Sequence, residues 1–323
     1  MNHFISVEDV SDPSGDYSKN LKSLIAKAER YKKNTFADEE YGKRKPLGLI
    51  FFNPSLRTRL STIKAAQNLG MDVITLNTSQ DSWALETADG VVMDQGSAEH
   101  IKEAAAVMGT YCDILGVRFF PGLKNKEEDY KNHMINGFVK YAGVPVINLE
   151  SATLHPLQSL TDLMTMESLR PHKNLNITLT WAPHVKPLPQ SVANSFAQWI
   201  GKTTHSLTIA QPSGFELSEE FTTGAMIMND QDEALKNADI VYVKNWSAFH
   251  DYGKVGKFPD WQITAQKMAL TNQALLMHCL PVRRNLVISD EVLNSENSVV
   301  IEQAGNREFA AQAVLKTILE NLN

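Results

Sequence analysis

The first clear change in hydrophobic pattern lies between residues 46 and 69. The run Pro46–Phe52 is almost entirely apolar and predicts a buried β-strand. Asn53, Pro54 and Ser55 then interrupt it, because proline has no N–H to give to a sheet and serine is a favoured helix N-cap. From Leu56 to Leu69 the apolar positions follow a helical period. The pattern therefore predicts a strand, a tight turn and a helix that begins beside Ser55.

Strands and helices alternate along the rest of the chain. The pattern predicts further strands over 71–76, 111–118, 144–148, 175–181, 205–210, 239–244 and 275–281. It predicts helices over 98–108, 127–138, 157–169, 191–200 and 307–321, an N-terminal helix that opens at Asp16–Ser18, and a long loop over 77–97. This alternation is typical of parallel α/β folds. We expect two domains, each with a central parallel sheet flanked by helices, joined by interdomain helices.

The length of the chain sets the expected number of domains. At 323 residues it is longer than most proteins with a single core. We place the domain boundary near residues 149–153, between a predicted strand and the next predicted helix. The first domain then covers 1–149, and a C-terminal helix over 304–323 packs back on it. The second domain covers 150–303.

Composition excludes several classes of protein. Hydrophobic residues make up 43% of the chain and charged residues 21%, as in ordinary globular proteins. The net charge is −6, which does not favour a general nucleic-acid surface, so any anion site has to be local. No apolar run is long enough to cross a bilayer, and the first residues lack the pattern of a signal peptide. We expect a cytoplasmic protein with no nucleic-acid partner and no membrane partner.

The cysteines and histidines give no sign of a metal centre. Cys112 and Cys279 lie far apart in sequence, which is typical of reduced thiols in a cytoplasmic protein. Cysteine and histidine residues do not have the close spacing of a zinc site. We expect no metal and no organic cofactor, and we interpret Cys112 as a core residue.

The helix that begins near Ser55 has the composition of an anion-binding site. Its first backbone N–H groups and the positive end of its dipole favour a phosphate or a carboxylate. Arg57 and Arg59 add two guanidinium groups, and Ser55 and Thr58 add two hydroxyls within five residues. The alternative is a solvated helix start with ordinary surface arginines. This stretch alone leaves both interpretations open.

Two more polar clusters follow predicted strands. His155-Pro156-Leu157-Gln158 lies at the start of a helix, where an imidazole and an amide can hold a carbonyl oxygen and an amine. His278-Cys279-Leu280-Pro281 ends a strand in backbone carbonyl groups that the proline fixes. Ligands of parallel sheets collect at the carboxyl ends of the strands, so both clusters and Arg118 can converge with Ser55–Arg59. Taken alone, His155 could satisfy a hydrogen bond at the domain junction, and Cys279 could be a small core residue.

In their order along the chain, the three clusters resemble the aspartate/ornithine carbamoyltransferase superfamily. Ser55–Arg59 matches its S-x-R-T-R motif, His155–Gln158 matches H-P-x-Q, and His278–Pro281 matches H-C-L-P. The resemblance covers essentially the whole chain. It implies a carbamoyl phosphate-binding domain over 1–149 and an acceptor-binding domain over 150–303. It also implies a homotrimer with active sites shared between subunits, and no cofactor.

The resemblance implies a role for each matched residue. It assigns contacts with carbamoyl phosphate to Ser55, Leu56, Arg57, Thr58, Trp83, Arg118, His155, Gln158, Cys279, Leu280 and Arg307, with Arg59 as a further candidate. The expected catalytic residues are Arg57 at the phosphate and Thr58, Arg118 and His155 at the carbamoyl oxygen. The Gln158 side chain and the carbonyl groups of Cys279 and Leu280 would hold the carbamoyl NH2. Trp83, on the long loop, would reach carbamoyl phosphate in a neighbouring subunit.

Departures from the ornithine enzymes indicate the acceptor. The chain has no S-M-G loop, and Lys244-Asn245-Trp246 stands at the strand end where those enzymes carry an aspartate for the free α-amino group. A lysine suits a carboxylate better than an ammonium group. The chain is therefore more similar to the branch that acts on Nα-acylated ornithine. The acceptor contacts of that branch correspond to Glu150, His184, Lys244, Arg283 and Ala98.

Single positions in the sequence indicate which acyl group the acceptor carries. The acetyl branch typically has a glutamate, and the succinyl branch a proline, where this chain has Ala98. Ala98 brings no negative charge to repel a succinyl carboxylate, and Arg283 and Arg284 can pair with one. We expect carbamoyl transfer to N2-succinyl-L-ornithine, giving N-succinylcitrulline and phosphate in arginine biosynthesis. The alternatives are N-acetylornithine, a diamine such as putrescine, or a non-catalytic anion-binding protein of the same fold.

Overall fold

Two units make up the chain, and each has its own parallel sheet. The computed structural model describes residues 1–11, 17–171 and 174–322. The first unit comprises Met1–Pro121, Glu127–Leu157 and the residues from Arg307 onward, and the second comprises Gly122–Lys126 and Gln158–Asn306. Two of the divisions fall inside helices, Pro156–Leu169 and Val300–Leu322, so each of these helices has residues in both units.

A parallel sheet forms the centre of the first unit. The elements up to residue 150 are α1 (Ser18–Lys33), β1 (Leu47–Phe51), α2 (Arg57–Gln67), β2 (Val73–Asn77), α3 (Thr78–Asp81), β3 (Leu85–Glu86), β4 (Glu99–His100), α4 (Ile101–Tyr111), β5 (Ile114–Arg118), α5 (Lys126–Tyr130), α6 (His133–Tyr141) and β6 (Val146–Glu150), after a short 3₁₀ turn at Val7–Val10. The main sheet has the strand order β2-β1-β5-β6, with parallel pairing throughout. Its β1, β5 and β6 strands are buried along their whole lengths, as expected of strands covered on both faces.

The second unit repeats this architecture. Helix α7 (Pro156–Leu169) leads into it, and its elements are β7 (Asn176–Trp181), α8 (Ser191–Ile200), β8 (Ser206–Ala210), α9 (Glu219–Thr222), β9 (Met226–Met228), α10 (Gln231–Leu235), β10 (Ile240–Lys244), α11 (Ala265–Met268), β11 (Leu275–Met277) and α12 (Asp290–Leu293), followed by α13 (Val300–Leu322). The strand order is β11-β10-β7-β8-β9, again all parallel. A buried apolar cluster that includes Val241, Val243 and Leu276 packs one face of this sheet.

The predicted α/β fold with parallel sheets is confirmed, and some element bounds differ. The helix predicted over 127–138 is two helices, because Asn132 between them has a left-handed backbone with φ of 49°. The loop predicted over 77–97 contains α3 and β3. Strand β9 and helices α9 to α12 span only three to five residues each, too few to show a hydrophobic period. The predicted opening of the first helix at Asp16 lies outside the described residues.

Strand register brings several predicted site residues to one edge of the first sheet. Phe51, the last residue of β1, pairs with Arg118, the last residue of β5. Arg118 pairs in turn with Glu150 across a bulge in the β5–β6 pairing. The turn into α2 follows Phe51, and His155 follows Glu150 by five residues. These positions lie at the carboxyl ends of parallel strands, where α/β proteins bind their ligands.

Gly70 offers a test of local packing after α2. Its φ is +78°, and an added Cβ would lie 2.0 Å from the carbonyl oxygen of Glu39. Gly143 also has a positive φ, +69°, but an added Cβ there would meet no described atom within 4 Å. We expect Gly70→Ala to lower the free energy of unfolding by about 2–4 kcal/mol and Gly143→Ala by about 1–2 kcal/mol. Urea denaturation measures both, and equal losses would contradict the close approach to Glu39.

Candidate active site

The turn between β1 and α2 ends without the predicted serine cap. Helix α2 begins at Arg57, so Leu56 takes the N-cap position, and its side chain makes no capping hydrogen bond. The prediction of Ser55 as N-cap is therefore wrong by one residue. Leucine cannot accept from the first N–H groups of the helix, so these donors are not satisfied by the residue that would ordinarily cap them. Such a helix start favours an anion.

Arg307 lies against this helix start. Its Nη2 donates to Thr58 Oγ1 at 2.7 Å, and both residues are buried. Thr58 is on the first turn of α2 and Arg307 is in α13, in the part that belongs to the first unit. The structure thus brings together two residues that the sequence assigned to carbamoyl phosphate from motifs about 250 positions apart.

The remaining S-x-R-T-R residues differ in exposure, and Arg59 contacts the ends of neighbouring strands. Ser55 and Arg57 are half-buried, and Leu56 is exposed. Arg59 donates from Nη2 to Asn77 Oδ1 at 2.8 Å, and its guanidinium lies 5.2 Å from the centre of the Phe51 ring. Arg59 is therefore held against the ends of β1 and β2, which gives it a structural contact of its own.

Arg118 is held rigidly at the end of β5. Its Nη1 donates to the carbonyl oxygens of Asn53 at 3.0 Å and Pro54 at 2.8 Å, which belong to the turn before α2. Its guanidinium stacks on Phe120, 4.1 Å from the ring centre. Arg118 Nε is buried and has no hydrogen-bond partner among the described residues. A fixed guanidinium with a spare N–H is suited to polarise a ligand oxygen.

Glu150 places a negative charge beside two of the predicted catalytic residues. Its Oε2 accepts from Arg118 Nη2 at 3.0 Å and lies 3.8 Å from His155 Nε2. All three residues are buried, with 4–7% of their surfaces exposed, so the Arg118–Glu150 ion pair is little screened by solvent. The carboxylate compensates the buried arginine and fixes its orientation. Glu150 was expected at the acceptor, and its observed contacts are with Arg118 and His155.

A second cationic cluster lies at strand ends of the second unit. Arg283 Nε donates to His184 Nε2 at 3.3 Å, and the other ring nitrogen of His184 lies 2.9 Å from the carbonyl oxygen of Lys186. Burial lowers the pKa of His184, and the positive charges of Lys244 and Arg283 lower that pKa further. Lys244 is itself buried, at 8% exposure, which is unusual for a lysine. The His184 imidazole and the cations of Lys244 and Arg283 therefore lie close enough to interact electrostatically.

Arg284 does not belong to this cationic cluster. Its Nη1 donates to Asp290 Oδ1 at 2.8 Å and to Asn294 Oδ1 at 3.2 Å. Of the two arginines expected near a succinyl carboxylate, Arg283 therefore contacts His184, and Arg284 is paired with a carboxylate of its own chain.

The H-C-L-P segment forms a turn that its own histidine supports. Strand β11 ends at Met277, and His278 Nδ1 accepts from the N–H of Leu280 at 2.8 Å. Leu280 has a left-handed backbone with φ of 55°, an unfavourable conformation for a bulky residue that persists only where its surroundings impose it. The His278 ring supplies one such constraint. Cys279 is half-buried and Cys112 is buried, and the two do not form a disulfide.

Trp83 lies on the long loop of the first unit, and Ala98 directly follows that loop. The Trp83 ring is 56% exposed, and its Nε1 donates to Glu99 Oε2 at 2.8 Å. Ala98 is exposed, and its N–H donates to the carbonyl oxygen of Ala84 at 3.2 Å. Strands β3 and β4 pair beside these residues. The loop therefore has a defined conformation that presents an indole ring to solvent.

Family models match both halves of the chain. The model described as aspartate/ornithine carbamoyltransferase, carbamoyl-P binding domain, matches residues 2–168, and the model of the Asp/Orn binding domain matches residues 187–318. The chain belongs to the aspartate/ornithine carbamoyltransferase family. The resemblance carried by the three motifs is thereby confirmed.

Full-length relatives confirm the similarity of this carbamoyltransferase to the N-acylornithine branch. It is 47% identical to the N-succinylornithine carbamoyltransferase of Bacteroides fragilis over 325 residues, which cover 100% of both chains. It is 34% identical to the N-acetylornithine carbamoyltransferase of Xylella fastidiosa over 98% of both chains. A solved N-acetyl-L-ornithine transcarbamylase with one glutamate mutated to alanine, complexed with carbamyl phosphate and N-succinyl-L-norvaline, has a TM-score of 0.91 at 32% identity, covering 98% of this chain and 100% of that chain.

The described part of the carbamoyltransferase has neither a membrane-spanning helix nor a cluster of metal-binding side chains. Within residues 1–11, 17–171 and 174–322, no helix combines the length and apolar character needed to cross a membrane. In the same described ranges, His, Cys, Asp and Glu side chains do not form groups of three or more that could hold a metal ion.

Sequence reasoning missed several residues that hold the site residues of the carbamoyltransferase in place. Asn53 orders the turn before α2, because its Oδ1 accepts from the N–H of Phe120 at 2.6 Å. Gln158 Nε2 donates to Asp162 Oδ1 at 2.6 Å inside α7. The second contact had a sequence signal, because residues four apart on a helix lie on one face. The first joins residues 67 positions apart and had none.

Proposed function

We propose that this carbamoyltransferase moves the carbamoyl group of carbamoyl phosphate to the side-chain amine of N2-succinyl-L-ornithine, giving N-succinylcitrulline and phosphate. The observation that carries the choice of acceptor is the 47% identity, over the full length of both chains, to a relative named for that substrate. We assign the reaction to cytoplasmic arginine biosynthesis.

The first unit would bind carbamoyl phosphate. The uncapped start of α2, with Arg57, Thr58 and Arg307, offers N–H and guanidinium donors to the phosphate. Arg118 and His155 would donate to the carbamoyl oxygen. Negative charge grows on that oxygen when the amine attacks, so donors already fixed in place stabilise the transition state more than the ground state. Glu150 holds Arg118 in this orientation.

The reaction needs no covalent enzyme intermediate. The neutral amine nitrogen attacks the carbamoyl carbon, a C–N bond forms, and a tetrahedral intermediate carries the charge on its oxygen. The C–O bond to phosphate then breaks and its electron pair leaves with the phosphate, which also accepts the amine proton. Gln158 and the carbonyl groups of Cys279 and Leu280 would accept from the carbamoyl NH2 throughout. The protein supplies positioning and electrostatic stabilisation.

Charge matching supports a dicarboxylate acceptor in the second unit. N-succinylornithine carries an α-carboxylate and a succinyl carboxylate, and acylation removes the positive charge of its α-amine. Lys244 and Arg283 offer two cations around a neutral His184, and no acidic group is needed beside them. N-acetylornithine carries only one carboxylate, and putrescine carries none. A dicarboxylate therefore uses this cluster most fully.

We also propose a homotrimer with shared active sites. The loop exposes four large apolar side chains that a neighbouring copy would cover, those of Trp83, Val91, Val92 and Met93. Trp83 would then contact carbamoyl phosphate bound by that copy, and Ala98 would lie near the acyl group of its acceptor.

Ala98→Glu tests the acyl group directly. Solved N-acetyl-L-ornithine transcarbamylases in which a glutamate is replaced by alanine, serine or valine are complexed with N-succinyl-L-norvaline, so a small uncharged residue is compatible with a succinyl compound. We expect Ala98→Glu to raise KM for N-succinylornithine about 10- to 100-fold, because the new carboxylate repels the succinyl group. KM for N-acetylornithine should not rise. Ala98→Gln is the neutral control, and equal effects of Glu and Gln would contradict charge repulsion.

A further inference from the structure

A buried carboxylate in the second unit binds two glutamine side chains at once. Asp162 is 0% exposed, and its Oδ1 accepts from Gln158 Nε2 at 2.6 Å and from Gln303 Nε2 at 2.7 Å. Gln158 and Asp162 lie one turn apart on α7, and Gln303 is on α13. A carboxylate only accepts hydrogen bonds, so it fixes which end of each amide points toward it.

The hydrogen bond to Asp162 determines which group Gln158 presents to a ligand. Its NH2 group is directed to Asp162, so its carbonyl oxygen, at the other branch of the planar amide, points away from that carboxylate. The carbamoyl NH2 of the proposed substrate is a donor and requires an acceptor. If the Gln158 amide were reversed, it would present a second donor to this group, and the two would repel each other.

The same carboxylate acts on the H-C-L-P turn through Gln303. With its NH2 on Asp162, Gln303 directs its Oε1 to the backbone N–H of His278, at 2.9 Å. The His278 ring in turn accepts from the N–H of Leu280 at 2.8 Å. Asp162 is therefore linked by consecutive hydrogen bonds to the turn whose carbonyl groups, at Cys279 and Leu280, are the other proposed acceptors.

We propose that Asp162 is a positioning residue that orients all the acceptors for the carbamoyl NH2, Gln158 directly and Cys279 and Leu280 through Gln303 and His278. This role rests on the proposed function of the second unit. A purely structural link between α7 and α13 does not need a buried charge. One turn further along α7, Thr165 accepts from Asn306 Nδ2 at 2.9 Å and joins the same two helices with neutral groups. Burying a carboxylate costs free energy that a neutral link such as Thr165–Asn306 avoids, so stability alone does not account for Asp162.

The matched pair Asp162→Ala and Thr165→Val separates positioning from stability. Each removes a buried acceptor between α7 and α13. We expect Asp162→Ala to lower kcat/KM for carbamoyl phosphate about 10- to 100-fold, because the Gln158 amide is free to reverse. KM for N-succinylornithine should change less than about threefold. Asp162→Asn retains an acceptor oxygen and should recover part of the loss. Thr165→Val should lower the unfolding temperature with kcat/KM close to that of the wild type.

A double-mutant cycle keeps the test decisive if Asp162→Ala does not fold. Asp162→Asn is combined with Gln158→Met, which has no amide to orient. We expect the effect of Asp162→Asn on kcat/KM to shrink in the Gln158→Met background. Additive effects, or equal kinetics of Asp162→Ala and Thr165→Val, would overturn the positioning role and leave the proposed function standing. If the wild-type protein turned over neither N-succinylornithine nor N-acetylornithine, the positioning role and the proposed function would both be overturned.

Discussion

Replacing Arg118 with methionine is expected to lower kcat about 1,000-fold or more, the largest loss at a single position. Arg118 is buried and held by two backbone carbonyl groups, and it is the donor that we propose at the carbamoyl oxygen. Loss of one such donor costs about 100- to 1,000-fold in other enzymes. The variant also leaves Glu150 buried without its cation, which adds disorder beside His155. Steady-state assays at saturating substrates measure the change.

Arg59→Met is the matched control for Arg118→Met. Both substitutions remove an arginine near the carboxyl end of a strand of the first sheet, but Arg59 contacts Asn77 and Phe51. We expect its kcat to fall less than about tenfold. Arg118→Met/Glu150→Gln removes the uncompensated charge, so it should recover stability without recovering kcat. A kcat for Arg118→Met similar to that of Arg59→Met would contradict the role of Arg118.

Lys244→Met is expected to raise KM for N-succinylornithine about 30-fold or more, because the variant loses the buried cation that we propose to pair with a substrate carboxylate. KM for carbamoyl phosphate should stay close to the wild-type value. Any turnover of putrescine should be spared, since a diamine has no carboxylate for Lys244 to bind. Initial rates with each substrate varied in turn measure these changes.

Two further measurements make the Lys244 prediction specific. The charge of Lys244 lowers the pKa of His184, so its removal should raise that pKa, which an NMR titration of the histidine can detect. Arg284→Met removes a cation of the neighbouring segment that is already paired with Asp290, so its KM for N-succinylornithine should hardly change. Equal KM changes in Lys244→Met and Arg284→Met would contradict a specific carboxylate site.

The fold could be predicted well from the sequence, because buried parallel strands are short apolar runs. The run before Asn53 is β1, and the runs that end at Arg118 and Lys244 are β5 and β10. Because the ends of these strands were predicted closely, the residues at those ends were also predicted at strand termini. The short elements of the second unit escaped prediction, since three to five residues do not complete a hydrophobic period.

The partners of the site residues were harder to predict than the residues themselves. The family resemblance assigned roles to Arg118 and Glu150. Only the structure, in which the two residues pair next to a bulge between β5 and β6, shows that they contact each other. Arg283 and Arg284 are adjacent in sequence and chemically identical, yet one contacts His184 and the other Asp290. Such choices depend on tertiary contacts between distant segments, which local patterns do not encode.

Product formation from carbamoyl phosphate, measured side by side with N-succinylornithine, N-acetylornithine and ornithine, tests the central claim most directly. We expect the highest kcat/KM with N-succinylornithine and stoichiometric release of phosphate with N-succinylcitrulline. A higher kcat/KM with N-acetylornithine would contradict the assigned acyl group and leave carbamoyl transfer intact. Turnover of free ornithine alone would contradict the assignment of Lys244 and Arg283 to an acylated acceptor.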